Sequence, residues 1–314
     1  MISSIEGKYD LGIVEKVNRL LDLLSEIDRH QILSKKTCLF GGTAINLFML
    51  DAPRLSIDAD ISYIGNGEKS IENLDRTTIE RALQDVGFFL GYNVTAAKET
   101  TAGRTFRLRY SGSRGADLIK IDINYLNRIP LHPINYSECI LDNRIKIRTL
   151  SQTELIAGKV KALFDRVVVR DLYDISHIYQ VIANLFYLSD DENKRKLRRT
   201  IIFYTALSNL FPRDFEGITE KRFSGRNKQV RDELYPFLGI DDRPTLKEMI
   251  INAEAFISEY AMPKDEAEKD YFIRFSKAEY RPELLFSEWP EVLAAAERSP
   301  SAKWKILNLK QRPA

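Results

Sequence analysis

Cysteine and histidine are scarce in this sequence, and the few that are present are poorly spaced for chemistry. The 314 residues include two cysteines, Cys38 and Cys139, which show no CxxC spacing. A disulfide framework or a zinc site is therefore not expected. His30, His132 and His177 have no mutual metal-ligand spacing and no obvious serine or cysteine partner, so nucleophilic triad chemistry has little support.

Long hydrophobic runs and an excess of one charge are also missing. No stretch approaches the ~20 apolar residues of a membrane-spanning helix, and the opening residues MISSIEGKYD lack the basic-then-apolar order of a signal peptide. We therefore expect a cytoplasmic protein with no membrane partner. Lys and Arg total 47 against 45 Asp and Glu, a net charge of +2, so contact with nucleic acid would need local clusters of basic residues.

The residues that are present indicate a globular protein of two domains. Hydrophobic residues make up 44% and charged residues 29% of the chain, whose length suffices for two cores. Apolar periodicity predicts helices over residues 11–27 and 71–86, and the capping-box spacing at 151–154 begins a mostly helical remainder. The prediction is an α+β fold, with a mixed sheet flanked by helices in residues 1–148 and a mostly α-helical domain in residues 149–314.

A glycine turn is the first candidate site. Residues 37–40 have the composition of a short buried strand, which stops at Gly41-Gly42 ahead of a predicted helix through Ala44, Leu47 and Phe48. The order strand, Gly-Gly and helix points backbone N–H groups at a helix N-terminus. Such an arrangement favours phosphate binding.

Carboxylates follow on the next predicted strands. Residues 56–63 alternate strictly, so Asp58 and Asp60 share the polar face with Ser56. A later strand alternates Ile119, Ile121 and Ile123 with polar residues and adds Asp122 as a third carboxylate. The strand before it is predicted from Phe106, Leu108 and Tyr110, which alternate with Arg107 and Arg109, and the segment from 112 to 115 is predicted to be the hairpin turn between the two strands.

Three carboxylates on neighbouring strands can coordinate two divalent cations, which clamp a triphosphate and an attacking hydroxyl. Mg²⁺ is the natural candidate, because it prefers hard oxygen ligands and shares its coordination with water and substrate phosphates. An Asp-x-Asp motif alone is weak evidence for a metal site, since charged residues alternate on the solvent face of many edge strands. The upstream glycines, Ser56 and Asp122 together favour the functional interpretation.

Four patches resemble the AbiEii/AbiGii-type nucleotidyltransferase toxins, a family that includes the MenT toxins. The patches are Phe40-Gly41-Gly42-Thr43-Ala44, Arg54-Leu55-Ser56-Ile57-Asp58-Ala59-Asp60, the helix Glu154 to Ala162 with Lys159, and Arg166 with Arg170-Asp171-Leu172-Tyr173-Asp174. The match spans roughly residues 36 to 178, and its motifs are specific in combination. Ala59 departs from the larger aliphatic residue that is usual between the two aspartates.

The resemblance implies a polymerase-β-like nucleotidyltransferase core and a helical domain that completes the nucleotide pocket and contacts the acceptor. It implies an NTP cosubstrate, Mg²⁺ as cofactor, and a toxin neutralised by a cognate antitoxin. For MenT-like members the acceptor is the 3′ end of tRNA, and its modification blocks translation.

The same resemblance implies roles for individual residues. The nucleotide-binding residues would be Gly41, Gly42, Thr43, Ser56, Arg166, Arg170 and Asp174. The catalytic residues would be Asp58, Asp60, Asp122, Lys159 and Asp171, and the first three would also bind the metal. The catalytic and metal-binding role of Asp122 is inferred mainly from its position on a strand.

The helical half carries basic residues that have two interpretations. On one unbroken helix, Lys159, Arg166 and Arg170 would line one face and could neutralise a triphosphate. The β-branched run at 167–169 favours a break there. Alternatively, Arg170 pairs with Asp174 at i,i+4 and Lys159 is a solvated surface residue.

Two clusters of basic residues lie further along the chain. They comprise Lys194, Arg195, Lys196, Arg198 and Arg199, and then Lys221, Arg222, Arg226, Lys228 and Arg231. Such clusters are usually solvated faces, but in a nucleotidyltransferase they become candidates for contact with an RNA backbone. Tyr204, Phe211 and Phe223 interleave with them and could stack on unpaired bases, although core packing is the commoner fate.

Other functions stay open at this point. The chemistry could act on a protein side chain or on a small antibiotic-like molecule in place of tRNA. A different class of protein would be a catalytically silent module that binds a nucleotide or a partner without turnover. A large basic face would favour RNA, and an enclosed acidic pocket would favour a cationic small molecule.

Overall fold

The chain forms two compact units in a computed structural model that describes residues 7–65, 69–182, 190–213 and 215–311. One unit comprises Met1–Ser151 with Pro236–Asp242, and the other comprises Gln152–Tyr235 with Arg243–Ala314. Each unit is described separately.

The first unit is built on a mixed sheet. Its strands are β1 (Thr37–Phe40), β2 (Asp58–Tyr63), β3 (Asn93–Ala96), β4 (Gly103–Gly112), β5 (Gly115–Asn124), β6 (Asn135–Glu138) and β7 (Lys146–Thr149). Its helices are α1 (Leu11–Arg29), α2 (Leu33–Lys36), α3 (Gly41–Phe48) and α4 (Lys69–Phe89). Across the described residues the strand order is β3-β4-β5-β2-β1-β7-β6. The pairs β1–β7 and β2–β5 are parallel and the others are antiparallel.

The two faces of this sheet differ in polarity. On one face, Ala59, Ile61 and Ile121 are fully buried, as strand alternation predicts. Helix α4 lies over this face, since the Tyr63 hydroxyl donates to Asp75 at 2.7 Å and Phe106 lies in the same buried layer. The opposite face carries Asp58, Asp60 and Asp122, described below.

The sequence of α1 explains why this segment forms a helix. Asp10 caps its N-terminus by accepting from the backbone N–H groups of Gly12 and Ile13. Its apolar residues recur at three- and four-residue spacings, and Val17 and Leu24 are fully buried. The helices predicted over 11–27 and 71–86 are confirmed, with ends within three residues of the prediction.

Strands β3, β6 and β7 were not expected from the sequence. These strands have four residues each, and β3 and β6 lie at the edges of the sheet and contain no buried residue. Such short segments carry little apolar alternation, so pairing with a neighbouring strand decides their conformation. Strand β7 differs from these two because it contains buried residues. It pairs in parallel with β1 through Leu39 and Thr149.

The second unit is helical in its described part. Its helices are α5 (Gln152–Asp165), α6 (Val169–Val181), α7 (Asp191–Ala206), α8 (Ile218–Phe223), α9 (Asn227–Gln229), α10 (Leu246–Phe256), α11 (Glu266–Ser276), α12 (Glu283–Phe286), α13 (Pro290–Arg298) and α14 (Pro300–Lys310). Shorter helical turns occupy Val230–Leu234, Tyr235–Phe237 and Ile257–Ala261. The predicted α+β fold class is confirmed. Across the described residues, no helix combines the length and apolarity required to cross a membrane.

Candidate active site

The glycine turn touches the carboxylate strand directly. Strand β1 ends at Phe40, and Gly41 begins α3 with φ +71°, a left-handed conformation that glycine adopts readily. A Cβ atom built on Gly41 would lie 2.1 Å from Oδ2 of Asp60. A Cβ atom on Gly42 would lie 2.9 Å from Nη2 of Arg54. Both glycines therefore permit a close approach that a larger residue would prevent.

Thr43 ties the glycine turn to the same strand. This side chain is fully buried, and its hydroxyl donates to the backbone carbonyl oxygen of Asp58. Its Oγ1 atom also lies 2.8 Å from Oγ of Ser56. Because the hydroxyl is engaged within the protein, Thr43 holds α3 in place against the residues that precede Asp60.

Strand register brings the third carboxylate beside the first two. Strands β2 and β5 are parallel, with Asp60 opposite Asp122 and Asp58 opposite Lys120. Opposite residues on neighbouring strands share a face and lie about 5 Å apart. Asp58, Asp60 and Asp122 therefore lie on one half-buried surface patch, next to Gly41.

Two side chains hold the carboxylate of Asp122. The Thr105 hydroxyl, on β4, donates to Oδ1 of Asp122 at 2.5 Å. The Lys120 ammonium group forms an ion pair with Oδ2. Within the described ranges, no three His, Cys, Asp or Glu side chains converge closely enough to form a metal cluster.

The donor set of this patch nevertheless fits Mg²⁺. Asp58, Asp60 and Asp122 offer hard carboxylate oxygens, which suit magnesium better than softer transition metals. Gly41 lets the Asp60 carboxylate lie directly against the glycine turn, because a Cβ atom at position 41 would overlap with that carboxylate. Ser56 adds a hydroxyl oxygen near the same turn.

A second cluster of ionisable residues lies within the helical unit. The Lys159 ammonium group, on α5, lies 3.0 Å from Oδ1 of Asp171 and 2.7 Å from Oδ2 of Asp174, both on α6. The side chains are only 3%, 2% and 0% exposed, respectively. A buried charge is stable only with such partners, so the lysine and the two carboxylates depend on one another.

Arg166 extends this cluster to the surface. Its Nε donates to Oδ2 of Asp171 at 2.6 Å and its Nη2 donates to Oδ1 at 3.1 Å, while 59% of the side chain stays exposed. Burial by itself would raise the pKa of Asp171, but Lys159 and Arg166 outweigh it and hold the pKa below its ordinary value of 3.8. Asp171 is therefore an ionised carboxylate at neutral pH.

Comparison with known proteins identifies the family. The family model described as nucleotidyl transferase AbiEii toxin, type IV toxin–antitoxin system, matches residues 22–271. The chain belongs to the AbiEii family. Among curated proteins, no sequence matches this chain.

Solved structures, two of which are described next, share the fold of this AbiEii-family protein. MenT4, a nucleotidyltransferase toxin from Mycobacterium tuberculosis, superposes with a TM-score of 0.53 at 13% identity, covering 90% of this chain and 91% of MenT4. JHP933 from Helicobacter pylori superposes with a TM-score of 0.51 at 16% identity, covering 80% of this chain and 92% of JHP933. At these identities the likeness concerns the fold alone.

The predicted line of three cations on one helix is wrong for this AbiEii-family chain. Helix α5 ends at Asp165 and α6 begins at Val169, so Arg166 lies in the connecting segment and Arg170 in the first turn of α6. The β-branched run at 167–169 accounts for the break. The alternative in which Lys159 is solvated is also wrong, because Lys159 is buried.

The first basic cluster in the helical unit is mostly neutralised. Arg195 and Arg199 pair with Glu288, and Arg198 pairs with Glu268 at 2.6 Å. In the second cluster, Arg222 donates to the backbone carbonyl oxygens of residues 163 and 164. The ion pairs of the first cluster hold helices together and leave little of its charge for RNA, whereas Lys221, Lys228 and Arg231 of the second cluster are exposed.

The aromatic residues proposed to stack on bases are buried instead. Tyr204, Phe211 and Phe223 belong to the core of the helical unit. The Tyr204 hydroxyl donates to Oε1 of the buried Glu154 at 3.0 Å. The core-packing alternative is therefore correct for these three side chains.

Sequence reasoning missed three residues around the carboxylate patch. Arg54 is buried beside Gly42, Thr105 binds Asp122, and Lys120 pairs with Asp122. A buried arginine two residues before Ser56 was visible within the family motif. The roles of Thr105 and Lys120 depend on strand register, which local sequence does not reveal.

Proposed function

We propose that this protein transfers a nucleoside monophosphate from an NTP to the 3′ end of tRNA and releases pyrophosphate. The contact between Gly41 and Asp60 carries the proposal, because it places a helix N-terminus suited to phosphate beside carboxylates suited to a metal ion. Membership of a nucleotidyltransferase toxin family supports the reaction class. Modified tRNA would no longer serve translation, in keeping with a toxin.

Different residues of the sheet unit would bind the triphosphate and the metal ion. The backbone at Gly41 and Gly42, with Ser56, would bind the triphosphate, and Thr43 would hold this turn in place. Asp58, Asp60 and Asp122 would hold Mg²⁺, which neutralises developing charge and lowers the pKa of the attacking hydroxyl.

The bond changes follow from this arrangement. The acceptor 3′ oxygen forms a bond to the α-phosphorus while the bond from that phosphorus to the bridging oxygen of pyrophosphate breaks. Asp122 would accept the hydroxyl proton, because it lies at the edge of the patch furthest from the glycine turn. Its ties to Thr105 and Lys120 would keep it oriented for that step.

The helical unit would supply further nucleotide contacts. Arg166, which is exposed and already oriented by Asp171, is suited to bind phosphate oxygens in a bidentate manner. Arg170 and Asp174 are proposed as further nucleotide-binding residues, and Lys159 with Asp171 as catalytic residues. The buried ion pairs among Lys159, Asp171 and Asp174 would fix their geometry.

Two cellular features complete the proposal. A toxin of this family would be neutralised by an antitoxin partner, and action on NTP and tRNA would take place in the cytoplasm. Growth arrest on induced expression, relieved by Asp58→Asn, would support the toxin role. Growth at the normal rate with well-expressed wild-type protein would contradict it.

The decisive experiment incubates the full chain with each α-labelled NTP, Mg²⁺ and total tRNA. We expect label in tRNA, lowered by more than about 100-fold in Asp60→Asn. Asp85→Asn is the matched control, because Asp85 is an exposed carboxylate on α4 in the same unit. It should retain the wild-type rate.

The location of the label separates the competing functions. Label that resists ribonuclease but not protease would identify a protein acceptor, and label in the low-molecular-weight fraction would identify a small molecule. Nucleotide binding without any transfer would identify a silent module. Each of these three results would overturn the proposed tRNA activity.

A further inference from the structure

The sheet face that carries the carboxylates continues into a row of basic residues. Antiparallel pairing of β4 with β5 sets Arg107 opposite Lys120, and parallel pairing of β5 with β2 sets Lys120 opposite Asp58. Arg109 follows Arg107 two residues further along β4, on the same face. We call Arg107, Arg109 and Lys120 the basic strip. It begins at the carboxylates and runs toward the β3 edge of the sheet.

The two arginines of the basic strip are available to a ligand. Arg107 and Arg109 are exposed, whereas Phe106 and Leu108 between and beside them are fully buried on the other face. Within the described residues, neither arginine forms an ion pair with a carboxylate; Arg109 donates only weakly to the Thr95 hydroxyl at 3.3 Å. The cluster on α7 differs, because Arg195, Arg198 and Arg199 are paired with acidic side chains.

The position of the basic strip favours binding of the acceptor over binding of the NTP. The glycine turn lies on the β1 side of Asp60, and the basic strip lies on the opposite side, beyond Asp122. In an in-line displacement, the leaving pyrophosphate and the attacking hydroxyl lie on opposite sides of the phosphorus. A triphosphate bound at the glycine turn would therefore face an acceptor arriving from the side of β5 and β4.

We propose that the basic strip binds the phosphodiester backbone of the RNA acceptor and guides its 3′ end to Asp122. This inference rests on the proposed function for the identity of the acceptor. Arg107 lies two strands, or roughly 10 Å, from Asp58, so the backbone next to the reacting nucleotide would be within reach of its guanidinium group. Lys120 links the strip to the catalytic patch through its ion pair with Asp122.

Phosphate contacts of this kind have two measurable properties. They are indifferent to base sequence, because every nucleotide presents the same phosphate. They also release counterions, so the logarithm of affinity for single strands falls with the logarithm of salt concentration by about 0.7 per neutralised phosphate. Loss of both arginines should therefore lower that slope by about 1.4.

The test uses the full chain and a short fluorescein-labelled single-stranded RNA in two unrelated sequences, with anisotropy measured between about 50 and 200 mM salt. The test variant is Arg107→Gln with Arg109→Gln, and Arg107→Lys with Arg109→Lys keeps the charge. The matched control, Arg29→Gln with Arg81→Gln, removes the same charge from exposed positions on α1 and α4. Thermal unfolding verifies that all variants are folded.

We expect the glutamine pair to weaken binding of both RNAs equally, to lower the salt slope by about 1.4, and to raise the KM for tRNA without raising the KM for NTP. The lysine pair and the matched control should keep the wild-type slope. Unchanged RNA affinity in the glutamine pair, or a loss of NTP affinity in place of RNA affinity, would overturn the inference. If the RNA effect is found but no variant or wild-type chain transfers nucleotide, the surface is supported and the proposed activity fails.

Discussion

Gly41 and Asp60 are in direct contact: a Cβ atom at position 41 would lie 2.1 Å from Oδ2 of the aspartate. The two residues are separated by 19 positions in the sequence, and antiparallel pairing of β1 with β2 brings them together, with Phe40 opposite Asp60. The glycine turn and the carboxylates therefore form one local structure, which any single substitution in it should disturb.

Gly41→Ala should abolish transfer. The left-handed backbone costs an alanine about 1–2 kcal/mol, and its methyl group would also displace the Asp60 carboxylate. Gly91→Ala is the control, because Gly91 has φ +79° and an added methyl group there would meet no atom within 4 Å, so only the backbone cost applies. Urea unfolding and the transfer rate are measured for both. Equal transfer rates in the two variants would show that the contact with Asp60 is unimportant.

Thr43→Val should weaken both the fold and activity. The valine keeps the shape of the buried side chain but leaves the Asp58 carbonyl oxygen without its donor, at a cost of about 1–3 kcal/mol. Thr43→Ser retains the hydroxyl and should lose only about 1 kcal/mol for the missing methyl group. Stability is read from urea unfolding and nucleotide binding from the KM for NTP. A serine variant as impaired as the valine variant would contradict a role for the hydroxyl.

Lys159→Met should destabilise the helical unit strongly. Removing the ammonium group leaves Asp171 and Asp174 buried without their common partner, and breaking such a buried pair costs about 3–5 kcal/mol. Lys161→Met on the same helix is the control, since its pair with Asp165 is partly exposed and should contribute under about 1 kcal/mol. The free energy of unfolding of both variants is measured by circular dichroism during urea unfolding. Similar losses in the two variants would argue against the buried network.

Acid should destabilise the protein partly through Asp171. The pKa of this carboxyl is lowered below 3.8 in the folded protein, so its contribution is present above the unfolded pKa and is lost as the pH falls through the folded pKa. Asp171→Asn should be less stable than wild type at pH 7 and should lose less stability on acidification. Asp191→Asn, with a side chain 90% exposed, should follow the wild-type pH profile. Parallel profiles for wild type and Asp171→Asn would refute the assignment.

Arg198→Gln should affect stability more than RNA binding. Its guanidinium group pairs with the fully buried Glu268, and loss of that partner costs roughly 3 kcal/mol. Arg195→Gln on the same helix removes an equal charge from a half-exposed pair with Glu288 and should be nearly neutral. Thermal unfolding and RNA anisotropy are compared. If both variants lost RNA affinity, the result would show that α7 does bind nucleic acid.

Strong local patterns were sufficient for much of the fold. Strands β1, β2, β4 and β5 and the helix after Gly41-Gly42 lie where the sequence predicted them, because apolar alternation and glycine act over a few residues. The hairpin turn between Gly112 and Gly115 is also confirmed. The strands β6 and β7 escaped prediction, since four polar-rich residues become a strand only by pairing with another segment.

The sequence by itself determined the glycine turn, the common face of Asp58 and Asp60, and the resemblance to the AbiEii family, because these depend on neighbouring residues. The tertiary structure decided which strand lies beside Asp60, and thereby that Asp122 and Lys120 adjoin the patch. It also decided that Lys159 is buried and that the basic cluster on α7 is neutralised while Arg107 stays exposed. Burial and charge pairing join residues distant in the chain, and only packing determines which of them meet.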